Sequence, residues 1–339
     1  MSAKVTWLLP VRNGMPFLTE TLQSIEKQSF RDWEVLAWDN GSDDGTLEVL
    51  QDWIPRRLPG LVVSGQPLTL GGSLAAMIEV ADSELCARID ADDVNLEERL
   101  QLQVDFLQRN PAVSVVGSQI LLVDERGFSL NQPHSVPLSH ADIVCSILSR
   151  TPMAHPTVLF RRASILKVGN YRDLEEWGGA NIEDYDLWMR TASGGETLAN
   201  LPEVLLRYRV HQNSSTEVSI RMNRLSRAGN LCFQRNSPAL FGCTEREAEQ
   251  LRARSHRLAL PVLLRIARHL RLTQRFEPFR SPAFSESVAR LLASRDVLTR
   301  LYVAGRAPQR YSLLREMWSI VFDVVEKFRN FGVDAPPVS

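Results

Sequence analysis

Short apolar runs alternate with helical patterns over the first third of this 339-residue chain. Each run ends at a turn or a polar loop, which is typical of a buried strand. The runs are Val5–Leu9, Trp33–Trp38, Leu61–Ser64, Leu85–Ile89 and Val113–Gly117. Between them, apolar residues recur every three or four positions and predict amphipathic helices. This alternation with short connections predicts an α/β fold with a doubly wound, mostly parallel sheet.

Beyond Gly117 the pattern is less regular, but single elements are still predicted. A helix is expected over 139–148, a strand over 155–162, a helix that begins near Glu183, and a strand over 204–210. After the cluster of aspartates near residue 90, Asn95 and Glu98 have the spacing of a capping box for the next helix. Residues 216–339 carry helical apolar stripes, one of them over Leu314–Phe328, and the tail from about Gly332 is expected to be disordered.

The two parts of the chain differ in their balance of charged residues. The formal net charge is −1, but residues 216–339 hold 21 Lys or Arg and 11 Asp or Glu, against 18 and 29 in residues 1–215. Either the two regions complement each other, or the basic one contacts an anionic partner. Arginine faces opposite apolar stripes favour a peripheral contact with an anionic membrane. The arginines lack interleaved aromatic residues, so nucleic acid is not expected as a partner.

Targeting signals are not evident in the sequence. There is no apolar segment typical of a signal peptide and no run long enough to span a bilayer. The four cysteines have neither metal-site nor disulfide spacing, which fits reduced thiols. We therefore expect a cytoplasmic protein, at the inner face of the membrane if the basic region binds lipid.

The strongest chemical signal is the segment Arg88-Ile89-Asp90-Ala91-Asp92-Asp93, which ends a buried strand. Carboxylates so close together repel one another, and a bound cation relieves that repulsion. Oxygen ligands suit Mg²⁺ or Mn²⁺, which in turn suit phosphate oxygens. The alternative is a solvated acidic turn, with Asp93 or Asn95 as a helix cap. Arg88 has two interpretations, because it could neutralise a phosphate or pair with a neighbouring aspartate.

Two further loops follow strands at the same predicted sheet edge, one from Pro10 and one from Asp39. Ligands of doubly wound sheets bind beyond the carboxyl ends of the strands. The loops at Pro10, Asp39 and Asp90 can therefore converge on one ligand.

Together these segments resemble the family 2 glycosyltransferases, enzymes of the glycosyltransferase-A (GT-A) fold. Six segments carry the resemblance, in the family's order and over roughly two thirds of the chain. They are Leu8–Gly14, Asp39–Thr46, Ala87–Asp93, His155–Thr157, Glu183–Trp188 and Tyr208–His211. The resemblance implies a GT-A catalytic domain over 1–215, with a nucleotide-sugar half to about 117 and an acceptor half from 118. A helical, basic region over 216–339 follows it.

The resemblance also implies roles for individual residues. A nucleotide-diphospho-sugar would be the donor. Its base and ribose would lie against Pro10, Arg12, Asn13, Asp39 and Asn40. Asp90 and Asp92 would bind the ribose and the metal on the diphosphate, and His211 matches a position that can approach the metal or the diphosphate. The implied cofactor is Mn²⁺ or Mg²⁺, and Asp184 matches the catalytic base.

Three more residues complete the expected substrate site, namely Arg88, His155 and Glu183. For His155 and His211 a purely structural role is the alternative, and for the carboxylates near residue 184 it is stabilisation of a helix N-terminus.

The expected reaction is metal-dependent, inverting transfer of one sugar to an acceptor hydroxyl. The acceptor would be a saccharide or a lipid-linked saccharide of surface glycan biosynthesis. The Gln-x-x-Arg-Trp signature of processive synthases is absent, which favours single addition. Two alternatives use similar residues: a sugar-nucleotide nucleotidyltransferase, which attacks at phosphorus, and a non-catalytic sugar-nucleotide binder.

Overall fold

The computed structural model of the protein describes residues 3–174, 182–212, 214, 224–252, 256–276, 278 and 281–284. Its strands are Val5–Val11 (β1), Trp33–Asp39 (β2), Gly60–Ser64 (β3), Leu85–Arg88 (β4), Val94–Asn95 (β5), Val113–Val123 (β6), Leu159–Arg161 (β7) and Thr197–Arg209 (β8). Within the described residues they form one sheet in the order β3-β2-β1-β4-β7-β6-β8-β5.

The sheet is mixed and contains two groups of parallel strands. Strands β3, β2, β1 and β4 run parallel to one another, and so do β6 and β8. Strand β7 is antiparallel to both β4 and β6, and β5 is antiparallel to β8. The predicted α/β architecture is confirmed, and β7 is where the two parallel groups meet.

Helices lie between the strands as the apolar periodicity predicts. Their bounds are Leu18–Glu26 (α1), Thr46–Trp53 (α2), Leu70–Val80 (α3), Arg99–Arg109 (α4), His140–Ile147 (α5), Arg162–Lys167 (α6), Glu183–Ser193 (α7), Arg224–Phe241 (α8), Glu245–Arg252 (α9) and His256–Thr273 (α10). All seven residues of β1 are buried. Leu22 and Ile25 of α1 join Trp7 and Leu9 of β1 in the same apolar cluster. Each such fully buried side chain contributes ~1.5–3 kcal/mol.

Pro10 is the first correction to the predicted elements. The expected turn begins two residues later, because β1 continues through Pro10 to Val11. Proline has no N–H group to donate within a sheet. Strand β4 pairs with β1 only as far as Leu8 opposite Arg88, so Pro10 lies beyond the last pair on that side. The strand therefore reaches one residue past the proline.

The predicted capping box at Asn95 and Glu98 is also wrong. Asn95 lies in β5, and α4 begins only at Arg99. The Asn95 side chain donates to Ser24 Oγ at 3.1 Å and accepts a hydrogen bond from Arg99 Nη1 at 2.5 Å. These buried tertiary partners replace the local helix cap.

The strand expected over 155–162 is much shorter than predicted. A 3₁₀ turn, His155–Thr157, comes first, and β7 covers only Leu159–Arg161 before α6 begins. Proline favours such a turn because its φ is fixed and it cannot donate to a strand ladder. Pro156 therefore delays the strand and places His155 in a bend.

The chain divides into two compact units. Residues 1–140 and 152–232 form one, which contains the sheet, and residues 141–151 and 233–339 form the other. In the second unit Val262, Ile266 and Leu270 of α10 are buried, whereas Arg265 and Arg268 are exposed, as the stripes predict.

Some predictions fall outside the described residues. The stripe over 314–328 and the tail from residue 332 do so, and the predicted domain boundary at 215 stays a prediction. No helix in the described part of the chain has the length and apolar character needed to cross a bilayer.

Candidate active site

The loops that follow β1 and β2 are tied together by hydrogen bonds. The Asn13 N–H group donates to Ser42 Oγ at 2.9 Å, and the Asp43 N–H group donates to Asn13 Oδ1 at 3.0 Å. Asn13 has a φ of 55°, which asparagine tolerates better than most residues. Asn13 therefore shapes both loops, and the exposed Arg12 lies beside them.

Asp39, the last residue of β2, and Asn40, which follows it, differ in the hydrogen bonds of their side chains. Asp39 Oδ2 accepts from two backbone N–H groups of the following turn, at 3.2 and 3.3 Å. Its Oδ1 is buried without a hydrogen-bond partner among the described residues. Asn40 donates to Ser73 Oγ at 2.7 Å and accepts from the Leu68 N–H group at 3.1 Å. One Asp39 oxygen is thus without a partner in the described part of the chain, whereas the Asn40 amide connects the end of β2 to α3.

Beyond the end of β4, the carboxylates of Asp90, Asp92 and Asp93 place oxygens within 4.8 Å of one another. Burial raises the pKa of Asp93 well above its usual range, and the charges of Asp92 and Asp90 add to the shift. Burial also raises the pKa of Asp90. Asp93 Oδ2 is buried without a hydrogen-bond partner in the described part of the chain. Three mutually repelling, hard oxygen donors fit a divalent cation such as Mg²⁺ or Mn²⁺.

Arg88 pairs with Asp90 on the strand side of this cluster. Its two terminal nitrogens each lie 2.5 Å from an Asp90 oxygen, and the Arg88 side chain is 3% exposed. Burial opposes the charge on Arg88, but the adjacent Asp90 outweighs it and raises the pKa of the guanidinium. Of the two roles that the sequence left open for Arg88, the structure shows the pairing with aspartate.

The end of β8 reaches the other side of the same cluster. His211 Nε2 lies 2.8 Å from Asp92 Oδ2, and the His211 ring packs 5.1 Å from the ring of Phe17. The Arg209 N–H group donates to Asp93 Oδ1 at 2.9 Å. The structure therefore brings His211 to the aspartates, although more than a hundred residues separate them in the chain.

Glu183 and Asp184 lie in the first turn of α7, where burial dominates their titration. It raises the pKa of Glu183 to about 8, with the Asp184 charge as the next cause. It raises the pKa of Asp184 to about 6. The predicted pair is thus present, but at neutral pH Glu183 holds a proton while Asp184 is mostly ionised.

A buried histidine adjoins this pair. His155 Nδ1 lies 3.6 Å from Glu183 Oε1, and its Nε2 lies 2.8 Å from the Tyr171 hydroxyl. Burial, and then the positive charge of Arg88, lowers the pKa of His155 well below its usual range. Burial raises the pKa of Tyr171 well above the usual range of a tyrosine. His155 and Tyr171 are therefore neutral at physiological pH, hydrogen-bond to each other, and place an uncharged ring beside Glu183.

Asp186, in the same turn, has a structural role. It is fully buried, and both Arg190 Nε and Arg190 Nη2 lie 2.7 Å from its Oδ2. For this carboxylate, the interpretation as a stabilising residue of the helix start is the better one.

Sequence reasoning missed Arg209, Tyr171 and the buried position of Asp93. Arg209 carried one available signal, since it is a charged residue at the end of an apolar strand pattern. Tyr171 carried none, because a single tyrosine after a glycine-asparagine turn is a common surface feature. Their roles depend on partners far away in the chain.

Comparison with known proteins identifies the family. The model of glycosyl transferase family 2 matches residues 6–169. The amylovoran biosynthesis glycosyltransferase AmsE of Erwinia amylovora is 31% identical over 194 residues, which are 57% of this chain and 70% of AmsE. The chain belongs to glycosyltransferase family 2. Its enzyme class is therefore the one that the sequence motifs predict.

A second relative of this glycosyltransferase is the UDP-Gal:alpha-D-GlcNAc-diphosphoundecaprenol beta-1,3-galactosyltransferase of Escherichia coli. It is 26% identical over 208 residues, 60% of this chain and 73% of the relative. Among solved structures, TarS 1–349 of S. aureus in complex with UDP-GlcNAc has a TM-score of 0.57 at 16% identity, covering 97% of this chain and 92% of TarS 1–349.

The mannosyltransferase PcManGT of Pyrobaculum calidifontis, in complex with GDP-Man and Mn²⁺, has a TM-score of 0.54 at 15% identity, covering 99% of this chain and 89% of PcManGT. Together with TarS it shows that this glycosyltransferase has the predicted GT-A fold.

Proposed function

We propose that this glycosyltransferase moves one sugar from a nucleotide-diphospho-sugar to an acceptor hydroxyl, with inversion and with a divalent cation. One observation carries the proposal. The positive charge of Arg88 acts on two groups of carboxylates: the cluster after β4, which suits a cation, and the pair at the start of α7, whose pKa values lie near neutral pH. A cation bound at the cluster would suit a diphosphate, and the pair suits proton transfer.

The donor would lie along the loops after β1, β2 and β4. Asp39, whose buried Oδ1 has no hydrogen-bond partner among the described residues, is suited to the base or ribose, with Arg12 and Asn13 in the adjoining loop. Asp90, Asp92 and His211 would hold the cation, and the buried Asp93 joins them. A divalent cation bound there supplies a Lewis acid that neutralises the charge developing on the diphosphate. Mn²⁺ and Mg²⁺ both suit these ligands, and the Mn²⁺ in the PcManGT complex supports the former.

Asp184 would act as the general base. The acceptor hydroxyl oxygen forms a bond to the anomeric carbon, the bond from that carbon to the diphosphate breaks, and the hydroxyl proton passes to Asp184. Direct displacement with inversion needs only this one carboxylate. With a pKa of about 6 the group is ~90% ionised at pH 7 and is a better proton acceptor than an ordinary aspartate. Glu183 and His155 would line the acceptor side as neutral hydrogen-bonding groups.

The acceptor is proposed to be a saccharide or lipid-linked saccharide in surface polysaccharide synthesis. Two relatives support this by name: the amylovoran biosynthesis enzyme and the galactosyltransferase that acts on a diphosphoundecaprenol-linked sugar. Such an acceptor places the protein in the cytoplasm at the inner membrane face, where the exposed Arg265 and Arg268 of α10 can contact anionic lipid. Unchanged binding to anionic vesicles after Arg265→Gln and Arg268→Gln together would refute that membrane contact.

The central test is donor binding by calorimetry over a panel of UDP- and GDP-sugars, with and without Mn²⁺, followed by transfer to acceptors. We expect Mn²⁺-dependent binding of at least one donor, weakened about 100-fold by Asp92→Ala because this ligand is lost. Asp82→Ala removes an exposed aspartate before the start of β4 and is the matched control, with unchanged binding expected. Binding indifferent to Mn²⁺ and to Asp92→Ala would show that the cluster is only an acidic turn.

A further inference from the structure

Arg209 uses both its backbone and its side chain to contact the acid cluster. Its N–H group donates to Asp93 Oδ1, and its Nε donates to the Asp92 carbonyl oxygen, both at 2.9 Å. Nη1 donates to the Glu125 carbonyl oxygen at 2.8 Å, and Nη2 lies 2.5 Å from Glu20 Oε2. One residue thus connects β8, α1, the loop after β6 and two of the three aspartates.

The surroundings of Arg209 explain why a charged residue is tolerated there. Its side chain is 2% exposed, and a buried guanidinium is stable only with several good partners. Phe17 covers it, with the guanidinium carbon 4.7 Å from the centre of the ring. The same ring packs against His211, two residues further along the chain. Arg209, the last residue of β8, and His211, just beyond the strand, are therefore held against the same ring.

We propose that Arg209 is a positioning residue that sets the direction in which Asp92 and His211 present their donor atoms to a divalent cation. The inference rests on the proposed metal-dependent function. The Nε, Nη1 and Nη2 atoms of Arg209 are each engaged by a protein oxygen, which suits a positioning role. It acts through the Asp92 backbone, the Asp93 carboxylate and the strand end that carries His211. Partners that orient metal ligands in this way commonly change metal affinity when they are removed.

Arg161 provides a matched control, because it lies beside the start of β4, at the sheet edge opposite the aspartates. Its Nε donates to the Val113 carbonyl oxygen at 3.0 Å, its Nη2 donates to the Leu107 carbonyl oxygen at 2.8 Å, and its Nη1 lies 3.0 Å from Glu84. Like Arg209, it binds backbone carbonyls and one glutamate from a strand end, with two carbonyls for Arg161 and three for Arg209. It lies opposite Leu85, where β4 begins, whereas the aspartates follow the end of β4.

The experiment measures Mn²⁺ binding by electron paramagnetic resonance, in the presence of UDP or GDP, for the full chain. Wild type is compared with Arg209→Met, Arg209→Lys, Glu20→Gln and Arg161→Met, after a thermal melt of each variant. We expect Arg209→Met to weaken Mn²⁺ binding about 10- to 100-fold. Arg209→Lys should recover part of the loss, because it keeps the charge near Glu20. Arg161→Met should leave Mn²⁺ affinity unchanged even if it lowers the melting temperature.

The variants separate the possible results. No Mn²⁺ binding by wild type would overturn the proposed function, and the role of Arg209 with it. Binding by wild type and Arg209→Met alike would overturn only the role of Arg209. If Arg209→Met does not fold, Glu20→Gln and Arg209→Lys decide the matter, since Glu20 is half exposed and its loss leaves the other bonds of Arg209 in place. A severalfold loss in both supports the proposal, and wild-type affinity in both overturns it.

Discussion

Two groups of partly or fully buried carboxylates feel the charge of Arg88 in this glycosyltransferase, and they differ in the groups that surround them. In the group Asp90, Asp92 and Asp93, each carboxylate contacts a group from a basic residue: the Arg88 side chain, the His211 ring and the Arg209 backbone, respectively. In the pair Glu183 and Asp184, the described neighbours of Glu183 include His155, whose pKa is lowered by burial.

This difference decides what each group can do. Carboxylates that are held close together repel one another, and this repulsion favours binding of a cation. Burial raises the pKa in both groups, well above the usual range for Asp93 and to about 8 and about 6 for Glu183 and Asp184. A proton therefore competes with the cation in the first group and is the expected occupant of the second. Under the proposed function, the same residue type would serve phosphate chemistry in one place and acid–base chemistry in the other.

The largest expected effect separates the two groups directly. Asp184→Asn removes the proton acceptor but keeps the size of the side chain, so turnover should fall about 10³-fold, within the usual range for a general base. Mn²⁺-dependent donor binding should remain, because the metal cluster is intact. Steady-state kinetics and calorimetry on the same preparation measure both. Loss of donor binding in this variant would show that the two groups do not act separately.

Two controls sharpen that result. Asp186→Asn breaks the buried pair with Arg190 and should lower the free energy of unfolding by about 3–5 kcal/mol, yet leave the turnover of the folded fraction largely intact.

In wild type, kcat/KM should fall about tenfold from pH 7 to pH 5, because Asp184 becomes protonated with a pKa of about 6. A flat profile over this range would argue against Asp184 as the base.

A smaller effect concerns the stability of the pair itself. The pKa of Glu183 is raised from 4.5 to about 8, so the folded state binds an extra proton between these pH values. Its stability therefore falls as pH rises through this window. Glu183→Gln removes that loss, and its melting temperature should exceed that of wild type by a margin that grows from pH 5 to pH 8.

Glu196 offers the opposite sign as a control. Burial opposes its charge, but hydrogen bonds from Lys167 and Ser114 outweigh that effect and lower its pKa. Its contribution to stability is therefore present above the usual glutamate pKa and is lost as pH falls. Glu196→Gln should destabilise the protein at neutral pH and make little difference in acid. Parallel thermal melts that show the same sign for both variants would contradict the contrast between the two sites.

Much of the fold follows from local patterns. Apolar runs at β1, β2 and β4 and the helical stripes between them determine the parallel part of the sheet, because both signals depend on neighbouring residues alone. The loops near residues 10, 39 and 90 could be placed at one edge for the same reason. The Asn95 cap failed because a distant residue, Ser24, and the first residue of α4, Arg99, bind that side chain instead.

The sequence by itself determined the GT-A class, the acidic cluster after β4 and the carboxylates at the start of α7. Only the tertiary structure decided how these residues are charged and oriented. Arg88 turns to Asp90, Arg209 reaches the aspartates from β8, and burial beside His155 leaves Glu183 protonated at pH 7. The physical reason is that a pKa and a side-chain direction depend on desolvation and on charges within a few ångströms, and the chain brings those groups together from far apart.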